Sequence, residues 1–171
     1  MAVTTYDGAI YCFGGSHFSS VCGYAYRFDP SLASFTPLSD MPTARNNAVA
    51  LTVGDKIFVI GGSTTTGLTN IVEVYDPALN TWSLADSMPL ALASMVAGVI
   101  DDRIYVAGGS AVSGPSSAIL EYDPQASHWT TVGSLQTPRT GPMGAVVGGS
   151  LYVIGGDAGA QLLSSVEVFS P

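Results

Sequence analysis

Four stretches of this chain are continuously apolar rather than alternating: Ile10–Phe13, Ile57–Ile60, Ile104–Ala107 and Leu151–Ile154. Runs of this length and composition predict short strands buried on both faces. Before three of them stand strands rich in small residues, Asn47–Val53, Ser94–Ile100 and Met143–Val147, with Ala50, Ala97 and Gly144 in one column. After each run follows a further strand, Tyr24–Phe28, Ile71–Tyr75, Ile119–Tyr122 or Val166–Phe169. A fourth carries a bulky aromatic, Phe35, Trp82 or Trp129. Gly54-Asp55, Asp101-Asp102 and Gly148-Gly149 predict tight hairpins between the first two strands of each set. We label the four strands of a set A to D.

The sets recur at a constant interval. Gly14-Gly15, Gly61-Gly62, Gly108-Gly109 and Gly155-Gly156 close the apolar runs at steps of 47 residues. Phe28-Asp29-Pro30, Tyr75-Asp76-Pro77 and Tyr122-Asp123-Pro124 keep the same step, with Phe169-Ser170-Pro171 as a degenerate copy. A four-stranded sheet buried on both faces is a wedge that needs a neighbour on each side, and radial stacking of such wedges makes a β-propeller. The small-residue strand suits the crowded inner edge, and the aromatic strand the wider outer edge.

The glycine doublet, the Tyr-Asp-Pro and the following Trp resemble the kelch repeat. Met41-Pro42 and Met88-Pro89 are similar to its closing turn, and Arg45 and Arg139 to the arginine that opens its strand A. Phe35 replaces the Trp in the first repeat, Leu92 replaces the arginine before the third set, and Leu135-Gln136 stands where Met-Pro is expected. The expected fold is an all-β, kelch-type propeller segment over 1–171: three full four-stranded blades and an incomplete fourth, in an open arc. Repeats fall at about 1–45, 46–92, 93–139 and 140–171, the last without its outer strand. The length is 171 residues, or 3 × 47 + 30. The end strands do not complete one another, so further blades, a longer chain or self-association are expected to cover the open ends. The resemblance implies a scaffold for protein or peptide recognition. The alternative it implies is part of a carbohydrate-binding or carbohydrate-active propeller, similar to the galactose oxidases or the sialic acid mutarotases.

Strand polarity puts the B–C and D–A loops on one face and the tight A–B and C–D turns on the other. The B–C loops, Ser16–Cys22, Ser63–Asn70, Ser110–Ser117 and Asp157–Leu163, vary in sequence and are rich in Ser, Thr and Gly. Variable loops on a rigid scaffold are where binding concentrates. Arg45 and Arg139, with Asn46, Asn47 and Thr140 beside them, are expected on this face, joined by His17, Ser63, Ser110 and Asp157. The resemblance implies a pocket for an acidic peptide, since arginines at this position line such pockets in kelch adapters, and a guanidinium grips a carboxylate by paired hydrogen bonds; the other reading has each arginine bracing its neighbouring loop. Tyr75, Tyr122, Trp82, Trp129 and the eight doublet glycines are read as structural.

Composition narrows the function further. Hydrophobic residues make up 47% and charged residues 11%, which excludes disorder. Five basic against thirteen acidic residues leave no cluster to track phosphates, so neither nucleic acid nor an anionic membrane is an expected partner. There is no transmembrane-length apolar run and no signal-peptide pattern at the start of the sequence. Asp29, Asp76 and Asp123 each precede a proline and fit turn chemistry, not a catalytic set. Glu73 and Glu167 share one strand column and Glu121 lies one place along, which suits partners of polar edges better than an acid–base pair. His17 and His128 lie in different settings, so no metal site and no cofactor is expected. Cys12 takes the column of Val59, Val106 and Val153 and faces a residue near Ala25, so it is not expected to pair with Cys22.

Overall fold

A computed structural model describes residues 1–18 and 20–171. The first sheet runs β1 (Ala2–Tyr6), β2 (Ala9–Phe13), then β5 (Ala25–Asp29) and β6 (Ser34–Pro37), with the small hairpin β3 (Ser16–His17) and β4 (Ser20–Val21) between β2 and β5. The second is β7 (Val49–Val53), β8 (Lys56–Ile60), β11 (Val72–Asp76) and β12 (Thr81–Ala85), interrupted by β9 (Ser63–Thr64) and β10 (Gly67–Leu68). The third is β13 (Val96–Ile100), β14 (Arg103–Ala107), β17 (Ala118–Asp123) and β18 (His128–Ser134), interrupted by β15 (Ser110–Ala111) and β16 (Gly114–Pro115). The fourth has three strands, β19 (Met143–Val147), β20 (Ser150–Ile154) and β21 (Val166–Phe169). All pairings are antiparallel, and each sheet is a blade of an open propeller arc. The inner strands β1, β7, β13 and β19 touch in succession around a concave space of about 680 Å³.

The core lies between blades rather than within them. Phe13 and Ala25 of blade 1 pack with Ile57, Val59 and Tyr75 of blade 2. Ile60, Val72 and Leu92 pack with Ile104, Val106 and Leu120 of blade 3, and Ala107 and Ile119 pack with Leu151 and Val153 of blade 4. This is why β8 and β14 are apolar at consecutive positions: their odd and even residues enter different cores.

Three sets of hydrogen bonds join the blades. The second glycine of the first three doublets donates to a carbonyl of the D–A loop that leads into the next blade: Gly15 to Arg45, Gly62 to Leu92 and Gly109 to Arg139, at 2.8–2.9 Å. The first glycine makes room for that approach. A Cβ on Gly61, whose φ is +60°, would sit 2.4 Å from the Leu92 carbonyl oxygen. Nearer the axis, Gly141 N–H donates to Ser94 O and Ser94 N–H to Asn47 O. At the rim, Trp82 and Trp129 donate their indole N–H to the carbonyls of Ser39 and Asp86, each at 2.8 Å, in the blade before. The repeated Asp-Pro works as turn chemistry: one Asp29 oxygen accepts the N–H groups of Ser31 and Leu32, with equivalent bonds at Asp76 and Asp123. The Ser31 hydroxyl and those amides hold the Asp29 carboxyl below its usual range, as the Ala126 and Gln125 amides do for Asp123.

Candidate functional site: the loop face

The topology places the B–C hairpins and the D–A loops on one face and stitches them together. Asn46 bridges to Ser63, Ala93 to Ser110 and Thr140 to Asp157, each as an antiparallel pair of residues 17 apart. Side chains add cross-links between neighbouring repeats. Asn46 Nδ2 donates to Ser16 Oγ at 2.6 Å, and the Ser110 and Thr140 hydroxyls bond to each other. One Asp157 oxygen is taken by the Gly159 N–H at 2.7 Å. Asn47 is exposed at a φ of +52°, and His17 is exposed with its ring edge-on to Phe18 at 4.4 Å. Ser19, within the first of these loops, lies outside the described residues. The first three of these loops contain small hairpins. They form because the short Ser/Thr/Gly segments close two-residue antiparallel ladders.

Arg45 and Arg139 lie beneath this face, not on it, and both side chains are 0% exposed. Arg45 Nη1 donates to the carbonyls of Ile71 and Gly61, at 2.9 and 3.2 Å, and Nη2 bonds Glu73. Arg139 Nη1 donates to Gly155 O at 2.9 Å, and Nη2 bonds Glu167 and the Ser165 hydroxyl. Thr43 Oγ1 also donates to Glu73, at 2.7 Å, and the amides of Gln136 and Thr137 donate to Glu167. The expectation that these arginines meet a ligand is therefore corrected: each is neutralised by a glutamate of strand C and braces its own loop. The basis for an acidic peptide goes with it. Glu121 is likewise occupied, accepting from Arg103 at 2.5 Å and from the Tyr105 hydroxyl at 2.8 Å. Cys12 is opposite Tyr26, one place from the expected Ala25, and both cysteines are free thiols.

What stands out on the face instead is apolar. Phe18 and Val112, between the paired strands of the first and third B–C hairpins, are 93% and 90% exposed, and Leu162, bridged to Asp157 at the base of the fourth B–C loop, is 82% exposed. A model of the KLHDC2/KLHL20/DRC7 kelch-repeats domain matches residues 1–171. The chain belongs to the kelch-repeat family. Among solved structures it is similar to that of YjhT, with a TM-score of 0.81 at 17% identity, over 99% of this chain and 64% of YjhT. That likeness carries the kelch propeller architecture alone, and the chain spans under two thirds of YjhT. No curated protein matches the chain. Among the described residues no helix is long and apolar enough to cross a membrane. Sequence reasoning overlooked these three apolar residues because the kelch loops were weighed by their Ser, Thr and Gly content. The available signal was the presence of Phe18, Val112 and Leu162 within otherwise small or polar loop segments.

Proposed function

We propose that this kelch arc is a recognition scaffold that binds a protein or peptide through its loop face, with Phe18, Val112 and Leu162 as anchors. The observation that carries this reading is the protrusion of three large apolar side chains from B–C loops held on a stitched, rigid face. Large apolar side chains exposed on one face signal an interaction surface, and apolar anchors ringed by polar contacts are how such surfaces bind. Asn46, Asn47, Ser63, Ser110, Thr140, Asp157 and His17 supply the polar rim in this proposal. The carbohydrate-active alternative needs free carboxylates converging on a substrate. Glu73, Glu121 and Glu167 are each bound by arginine, so no specific observation favours it.

A displayed library of random peptides, selected on the immobilised protein, supplies the probe. Enriched peptides are expected to carry apolar residues and to bind the Phe18→Ser, Val112→Ser, Leu162→Ser triple variant at least about tenfold more weakly. Equal affinity for the triple variant would remove the anchors. Saturable glycan binding indifferent to it would favour the carbohydrate reading.

A further inference from the structure

The ion pairs leave the surface charge one-sided. All five basic side chains are engaged: Arg27 with Asp29, Arg45 with Glu73, Lys56 with Asp55 and Asp76, Arg103 with Glu121 and Asp123, and Arg139 with Glu167. Among the described residues, Asp7, Asp40, Asp86, Asp101, Asp102 and Asp157 make no ion pair. Unpaired charge is therefore negative throughout. Asp7, Asp101 and Asp102 belong to A–B turns, on the face opposite the loops. Asp40 follows Ser39, and Asp86 is itself an indole acceptor, which places both at the rim. Asp157 is the one acidic residue in the four B–C loops.

Its setting suits a cation. The Asp157 backbone exchanges two hydrogen bonds with Thr140, each at 2.9 Å, and one carboxylate oxygen accepts the Gly159 N–H at 2.7 Å. The other carboxylate oxygen takes no hydrogen bond among the described residues. Asp157 lines a concave space together with Ser94, Thr140 and Gly141, all of them neutral. Arg139, next to Thr140 in the chain, is turned beneath the loop onto Glu167, so it does not compete for this carboxylate. The accessibility of Asp157 is a property of its column. Ser63 and Ser110, at the same place in blades 2 and 3, are partly exposed too, with a following blade packed beside them.

We infer that the loop face selects a basic partner, a peptide whose lysine or arginine is received by Asp157 while an apolar residue packs on the exposed anchors. This rests on the recognition reading above and gives it a charge sign, opposite to the acidic peptide implied by Arg45 and Arg139. A carboxylate fixed by backbone bonds supplies register and encounter rate more than raw affinity. An acidic segment would bring like charge to a face with no free cation to receive it.

The displayed random-peptide library is the probe, selected in parallel on the 171-residue protein and on Asp157→Asn, whose amide oxygen can still accept the Gly159 N–H. Peptides enriched on the native protein are expected to carry Lys or Arg at one position. They should bind Asp157→Asn about three- to tenfold more weakly, and the native protein should lose as much when that basic residue is changed to Gln. Asp101→Asn removes the same charge from the opposite face and should leave affinity unchanged. Enriched peptides lacking a basic residue, equal affinity for Asp157→Asn, or equal weakening by Asp101→Asn would each overturn the inference. If those same peptides still bind the Phe18, Val112 and Leu162 triple variant weakly, the recognition reading survives that failure. A library that enriches nothing on the native protein would remove the recognition reading and this inference with it.

Discussion

Blades 2 and 3 solve one problem with opposite chemistry. In blade 2 the D–A loop is anchored to strand C by Arg45 and Glu73, both buried. In blade 3 the residues 47 positions on are Leu92 and Leu120, both fully buried in one core cluster. Blade 4 returns to the ionic form with Arg139 and Glu167. The two members change together across the repeats: ion pair, leucine pair, ion pair. A buried ion pair and a leucine pair are known to be exchangeable when both partners change, because desolvation offsets most of the Coulomb gain. The comparison teaches that the arginine column holds the loop down. Ligand chemistry would not survive replacement by leucine, whereas a packing anchor does.

The sharpest way to break the comparison is to mix the two chemistries. Glu73→Leu leaves Arg45 charged and buried without its carboxylate and is expected to cost about 3–5 kcal/mol. Leu120→Glu should cost a similar amount by burying a carboxylate in an apolar cluster. The double change Arg45→Leu with Glu73→Leu recreates blade 3's chemistry, and most of the loss should return. Urea unfolding of the three variants measures this. Near-neutral single variants, or a double variant no better than Glu73→Leu, would sink the idea that the pair acts as one anchor.

A smaller effect separates the inner blades from the outer one. Gly61 and Gly155 have the same left-handed backbone, at φ of +60° and +63°. A methyl on Gly61 meets the Leu92 carbonyl at 2.4 Å, whereas on Gly155 the nearest atom is the Leu163 carbonyl oxygen at 3.3 Å. Both Ala variants bear the left-handed cost of about 1–2 kcal/mol. Gly61→Ala should lose about 1–3 kcal/mol more, because the blade junction must open. Equal losses in urea unfolding would show that the doublet serves the turn and not the junction.

Titration distinguishes the buried tyrosines of these blades from their surroundings. Tyr75 is fully buried and desolvation pushes its phenol up to about 12; Tyr105, desolvated and bonded to Glu121, is also held near 12. The fold favours the neutral phenol, so the unfolded chain loses its proton first. Stability is then full below about pH 10 and falls as pH rises toward 12, by on the order of 2 kcal/mol for Tyr75. Tyr75→Phe should flatten that part of the profile. An unchanged slope would assign the alkaline loss elsewhere.

Much of this was legible in the sequence, for a physical reason. The blade period, strand order and double-sided burial of strand B follow from columns such as Ile57 and Ile104, which local pattern alone exposes. The fate of Arg45 was not legible. Whether a guanidinium points to solvent or under a loop depends on a partner 28 residues away, and Glu73 was legible only as a partner for polar edges. The clue lay in comparing columns, since Leu92 departs from the pattern together with Leu120. The exposed apolar loop residues were legible as residues but not as a shared face, because that face depends on hairpins too short to show a period.

The smallest expected effect concerns the A–B turns of blades 3 and 4. Asp101 and Asp102 both adopt left-handed backbone, at φ of +50° and +60°. Blade 4 has Gly148 and Gly149 at those columns, and blade 1 has Asp7 and Gly8 at +46° and +70°. Two-residue hairpins of this kind favour Asp-Gly, because the second position is left-handed and only glycine takes it without strain. Both aspartates are exposed, and the nearby Arg103 is held by Glu121 and Asp123, so no contact is lost when Asp102 is changed. Asp102→Gly relieves about 1 kcal/mol of left-handed strain but loosens the unfolded chain by nearly as much. The net gain should be a few tenths of a kcal/mol. The reciprocal Gly149→Asp should lose a similar amount, and the two shifts in urea midpoint should have opposite sign. Shifts of the same sign would mean that the twist of the flanking strands, not the second turn residue, sets the cost of these hairpins.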